Sequence, residues 1–143
     1  MVLLSAGMCF AQSSSKESGQ NPGFPRVVAR LNLFNRTKAI GPQTFYTPKG
    51  FGLFRASATI ICTKPNSSTS GEWDVDIWWT NEAGLNRATL ATVGTQAVQS
   101  APGPVVFVLN ATAGVPISLS TFAGGDTTEG SEYNAYIILE QLE

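Results

Sequence analysis

From Arg26 onward the chain alternates between apolar and polar positions. Val27, Ala29, Leu31 and Leu33 fall on one side of Arg26–Phe34, and Arg26, Arg30 and Asn32 fall on the other. A period of two predicts a half-buried strand, because successive side chains of a strand point to opposite faces. The pattern returns in Leu53–Thr63, where Phe54, Ala58, Ile60 and Cys62 alternate with Arg55, Ser57, Thr59 and Thr63. It is clearest in Glu72–Thr80. There Trp73, Val75, Ile77 and Trp79 point one way, while Asp74, Asp76 and Trp78 point the other. Asn81–Gly84 reads as a hairpin turn that returns through Asn86–Val93. Further strands are expected at Gln43–Thr47, Val105–Asn110, Val115–Ser120 and Tyr133–Leu142. Glycine and proline clusters separate them. No stretch keeps an i, i+3, i+4, i+7 spacing, so essentially no helix is expected. About eight short strands at intervals of ~10–15 residues predict an all-β domain. Its expected form is an antiparallel jelly-roll β-sandwich of two four-stranded sheets.

This texture covers residues 26–143. Residues 12–25 are rich in serine, glycine and proline and read as a flexible linker. Residues 1–11 are apolar and end on Ala11, like the core and cleavage end of a signal peptide. The expected location is therefore secreted or extracellular, the periplasm included. A lipoprotein anchor is rejected, because Met8 rather than a small residue precedes Cys9. No run elsewhere approaches the ~18 apolar residues of a membrane-spanning helix. Removal of the leader would leave Cys62 without a disulfide partner, as a small buried hydrophobe.

Composition narrows the function. The chain has 143 residues, a net charge of −1 and no histidine. Histidine-based triads and histidine metal sites are excluded. A near-neutral charge argues against nucleic acid as a partner. Charged residues make up only 13% of the chain, about half the usual ~25%. Apolar residues also stand on the outward side of several strands: Val28 and Phe34, Val106 and Val108, and Tyr136, Ile138 and Leu142. Strands apolar on both sides are covered on both faces. That surplus predicts an interface between copies, a homo-oligomer with a trimer favoured. Arg26, Arg30, Arg36 and Lys38 form a possible basic stripe, either solvated or facing an anionic surface.

Two segments resemble the C1q/TNF-like jelly-roll family. Phe45 and Pro48 followed by Gly52-Leu-Phe-Arg-Ala-Ser57 are similar to its entry into the third strand. Tyr133-Asn-Ala-Tyr-Ile-Ile-Leu139 is similar to its terminal strand. The same texture occurs in small secreted bacterial proteins and phage fibre tips. The resemblance implies trimeric binding or structural heads rather than enzymes.

The candidate chemistry is sparse. Asp74 and Asp76 stand on one strand face with Trp78 beyond them. An aromatic platform beside carboxylates suits a sugar, and paired carboxylates suit Ca²⁺. The plainer alternative is a polar exterior with Trp78 covered by a loop or a neighbouring subunit. Asp126, Glu129 and Glu132 precede the last strand and form a second candidate for a cation. The two aspartates would lie ~6.5–7 Å apart, which does not exclude carboxylate-pair hydrolysis. No Gly-x-Ser-x-Gly or phosphate-binding loop is present. The leading expectation is a non-enzymatic, self-associating structural or binding head without a cofactor. The alternatives are a carbohydrate-binding module or a phage or appendage structural subunit.

Overall fold

The computed structural model describes residues 25–67, 70–103, 105–125 and 128–143. The expected leader and all but the last residue of the linker lie outside them. Nine strands follow in chain order: β1 (Arg26–Arg36), β2 (Gln43–Tyr46), β3 (Gly52–Lys64), β4 (Glu72–Asn81), β5 (Gly84–Gly94), β6 (Gln99–Ser100), β7 (Val105–Ala111), β8 (Ile117–Gly124) and β9 (Glu132–Gln141). No helix occurs among the described residues.

One sheet has the order β1-β9-β3-β7, with β6 continuing β7's side of β3, and the other has the order β2-β8-β4-β5. Every pairing is antiparallel. Leaving β6 aside, the first strand pairs with the last and the second with the second-last. The third pairs with the third-last, and the middle two pair with each other. That is a long hairpin rolled into two sheets, the jelly roll. The ninth strand, absent from the sequence reading, is a two-residue pairing of Gln99 and Ser100 with Cys62 and Ile61. It is too short to produce a period.

Between the sheets lie Phe54, Ile60, Trp73, Ile77, Leu90, Ile117, Ile137 and Leu139, each almost wholly buried. Each such side chain contributes roughly 1.5–3 kcal/mol of transfer free energy. The void lined by Leu31, Leu33, Val75, Leu119 and Ile137 is about 10 Å³, barely the room for one water molecule. The interior therefore holds no ligand-sized cavity there.

Register shifts in β1 and β5 change which side chains face inward. In β1 the register against β9 shifts between Val27 and Ala29. The extra residue reverses the faces before it. Val27 is exposed and Val28 packs against the core, the opposite of the sequence expectation for both. In β5, Val75 faces Ala91 while Asp76 faces Thr89, so Leu90 is the extra residue and Leu90 and Ala91 are both buried.

One end of the sandwich is closed by a polar network. Trp73 Nε1 donates to Ser131 Oγ at 2.9 Å, and Ser131 Oγ donates to the Thr128 carbonyl at 2.6 Å. The Trp73 and Tyr133 rings stack at 4.6 Å. The Tyr133 hydroxyl lies 2.7 Å from Thr121 Oγ1, which accepts from the Ile40 amide at 2.8 Å. Beside it, Gly125 adopts φ +75°, and a Cβ there would collide with the Ser70 carbonyl oxygen. This glycine is required by both its backbone conformation and its close approach.

Candidate functional site

The exterior of the β2-β8-β4-β5 sheet carries the residues that the sequence put forward for chemistry. Register places Phe122, Asp74 and Thr92 in one row, Ser120, Asp76 and Thr89 in the next, and Ser118, Trp78 and Arg87 in the third. Asp74, Asp76 and Trp78 do share one face. Their surroundings determine what they are free to do. Asp76 is only 1% exposed. Its Oδ2 accepts from Arg87 Nε at 3.0 Å and Nη2 at 2.5 Å, and its Oδ1 accepts from Thr89 Oγ1 at 2.8 Å. A buried carboxylate so engaged has its charge and lone pairs met within the protein. Asp74 is half-buried and accepts from Thr92 Oγ1 at 2.5 Å. The bulge at Leu90 makes this possible, because it brings Thr89 and Thr92 to the same exterior.

Trp78 is held as firmly. Its Nε1 donates to Ser120 Oγ at 2.8 Å, and the Arg87 guanidinium lies 5.0 Å from its ring centroid. A cation over a half-buried tryptophan face contributes about 0.5–2 kcal/mol. Trp78 is thus covered by Arg87 of the adjacent strand. Phe122, which the sequence reading did not single out, is the open aromatic ring of this exterior at 53% exposure. Arg87, Thr89, Thr92 and Ser120 were likewise not assigned. Alternation alone puts them on outward faces, but only the strand order makes them neighbours of β4.

For the second cation candidate, Asp126 lies outside the described residues. The Glu129 carbonyl accepts from Asn66 Nδ2 at 3.0 Å. Glu132 faces Lys64 Nζ at 3.4 Å. Among the described residues no group of three or more acidic or cysteine side chains is arranged to hold a metal ion. Nearby, a concavity of about 570 Å³ is lined by Thr37–Ala39, Trp73 and Ala123–Gly125. Cys62 is wholly buried, and burial raises its thiol pKa above the usual range.

The exterior of the β1-β9-β3-β7 sheet is of a different kind. Tyr136 sits between Asn32 and Thr59, and Ile138 sits between Arg30 and Ser57. Ser57 in turn faces Val106, and Arg55 faces Val108. Phe34 meets Tyr136 edge-on at 5.8 Å. Phe34, Val106 and Val108 are exposed by 55%, 55% and 50%, and Tyr136 is exposed too. Ile138 and Leu142 are half-buried. Small Ser57 lies between Ile138 of β9 and Val106 of β7, so the apolar groups of the two strands approach each other across it. At the border of these groups Arg55 Nε donates to Glu140 Oε2 at 2.7 Å. That hydrogen bond holds Glu140 below the usual carboxylate range. Of the proposed basic stripe, Arg26 donates to Gln141 at 3.1 Å.

No family model matches the chain, and no curated protein matches it. Solved structures do. Eiger TNF from S. frugiperda is 13% identical, with 82% of this chain and 94% of that chain covered and a TM-score of 0.42. The N-terminal CBM22-1–GH10 modules of Clostridium thermocellum xylanase 10B, complexed with xylohexaose, are 9% identical at a TM-score of 0.40, with 80% of this chain covered. This chain spans only 26% of that one. The C-terminal family 22 carbohydrate-binding module of the same enzyme is 14% identical at a TM-score of 0.36, covering 88% and 89% of the two chains. The jelly-roll assignment rests on the strand order itself.

Proposed function

We propose that this domain is a secreted structural or binding head that self-associates through the exterior of its β1-β9-β3-β7 sheet. The observation that carries the reading is the contrast between the two exteriors. On β4 and β5 the polar groups pair among themselves around Asp76 and Arg87. On β9, Tyr136 stands exposed beside Phe34, and on β7, Val106 and Val108 are exposed. Contiguous exposed apolar surface rimmed by polar residues marks an interaction surface. In a chain with only 13% charged residues, covering that patch also favours solubility. Sedimentation velocity tests the reading on the full chain, with Tyr136→Lys and Ile138→Lys combined. Folding of the variant is checked by circular dichroism. A lysine pair in this patch lowers the assembly mass, and an unchanged mass would remove the reading.

A second reading is glycan binding on the other exterior. Its supporting observation is exposed Phe122 in one row with Asp74 and Thr92, with Thr89 exposed in the next row. Pull-down on insoluble polysaccharide tests it. Phe122→Ala should then lose retention, and Trp78→Ala should weaken it by freeing Arg87.

A further inference from the structure

Apart from two-residue β6, the sandwich has four edge strands among the described residues, and three of them carry a device against edge-to-edge pairing. β1 contains Arg26, Arg30 and Arg36 and two register shifts, with Asn35 at φ 49°. β2 is only four residues long. β5 carries Arg87, has the Leu90 bulge, and begins and ends on glycine. Charges, bulges and shortness are the standard ways of discouraging an unpaired edge from recruiting another strand.

β7 has none of these. Its seven residues, Val-Val-Phe-Val-Leu-Asn-Ala, are uncharged. They pair with β3 from Ala58↔Val105 to Gly52↔Ala111 without a register shift. Among the described residues no strand pairs with its other side. Val105, Val106, Val108 and Asn110 are all exposed. A groove of about 200 Å³, lined by Thr89–Thr92, Ala101, Pro102 and Val105, runs beside the start of this edge and contains no charged group.

We infer that the β7 edge pairs antiparallel with β7 of a second copy of this chain about a two-fold axis. The inference rests on the self-association reading and adds an edge contact to the face contact proposed there. Three features select a second copy as the occupant. A strand paired with itself brings every charge near its own copy, and β7 carries no charge. With the axis at Val108, Val106 of one copy faces Asn110 of the other, and Phe107 faces Leu109. Exterior side chains then meet exterior ones and interior meet interior, as an antiparallel ladder requires. The apolar patch of one copy also continues into that of the next without a step. Growth stops at two along the sheet, because the far edge is arginine-bearing β1. Face-to-face stacking of two such sheets would give four copies. The contact therefore demands an even copy number, where the family resemblance implies three.

Amide hydrogen exchange on the full wild-type chain, at both ends of a dilution series, tests this without a mutation. Edge pairing slows the outward amides of residues 105–111 by about tenfold or more at the concentrated end. Mass is read alongside, together with Val108→Lys and Ile138→Lys. Edge pairing predicts an even-numbered wild type. Val108→Lys, which sets two ammonium groups against each other at the axis, separates the pair. Ile138→Lys, two strands from the edge, removes the face contact but leaves the edge pair, read as a two-chain mass, intact. A trimer with no protection of 105–111 would overturn the edge contact and leave the face reading standing. A wild type of single-chain mass throughout would overturn both.

Discussion

Replacing Arg87 with methionine is the most informative test of how the β4–β5 exterior is held. Asp76 is 1% exposed and receives two hydrogen bonds from Arg87 and one from Thr89. Removing one partner of a buried ion pair costs roughly 3–5 kcal/mol, because the remaining charge stays desolvated. The Arg87 side chain is 46% exposed, so water reaches the site once the guanidinium is gone. The expected loss is therefore at the lower end, about 3 kcal/mol. For a chain of this length that lowers Tm by about 10 °C. Asp74→Ala supplies the comparison. It removes one hydrogen bond, to Thr92, from a half-buried carboxylate, and should cost about 1 kcal/mol. Combining Asp76→Val with Arg87→Leu removes both charges at once. The double variant should be more stable than either single change, since apolar replacement of a buried pair is close to neutral. Urea unfolding followed by tryptophan fluorescence measures the wild type, Arg87→Met, Asp74→Ala, Asp76→Val, Arg87→Leu and the double variant, with equal m-values required for comparison. A loss below about 1 kcal/mol for Arg87→Met, or a double variant at the sum of the singles, would refute the argument.

Gly125→Ala should destabilise the closed end by about 2–4 kcal/mol, because the left-handed backbone and the Ser70 carbonyl both exclude a Cβ. Thermal unfolding measures it, and a neutral substitution would mean that this end does not close as described. Ile137→Ala removes a buried side chain between the sheets and should cost about 2–5 kcal/mol in the same assay. The Cys62 and Tyr133 pKa values are both raised by burial. The native state therefore keeps protons that the unfolded chain releases, and stability falls as pH rises past the ordinary thiol and phenol values. Urea titrations on the alkaline side should show that decline, reduced by Cys62→Ala and Tyr133→Phe together. A profile unchanged by the pair would contradict the sign.

Much of the fold was legible because period two survives wherever a strand is half-buried. Trp73, Val75, Ile77 and Trp79 could be assigned to the core from β4 alone. The bulges could not. Nothing in Val27-Val28-Ala29 says which valine is the extra residue, so the inward one was misplaced. The site was legible only in half. Alternation brought Asp74, Asp76 and Trp78 to one face. Their occupation by Thr92, Thr89, Arg87 and Ser120 depends on β5 and β8 flanking β4, and that pairing is a property of topology. The apolar exterior was more readable. Tyr136, Ile138, Val106 and Val108 were recognisable from strand parity, but the approach of Ile138 to Val106 across Ser57 required the β9-β3-β7 order.

Multi-angle light scattering of the full chain across a dilution series tests self-association most directly. The account predicts a mass of at least two 15.2 kDa chains at the concentrated end of the series. A single-chain mass at every concentration would contradict it, and would shift the functional reading to Phe122 and the opposite exterior.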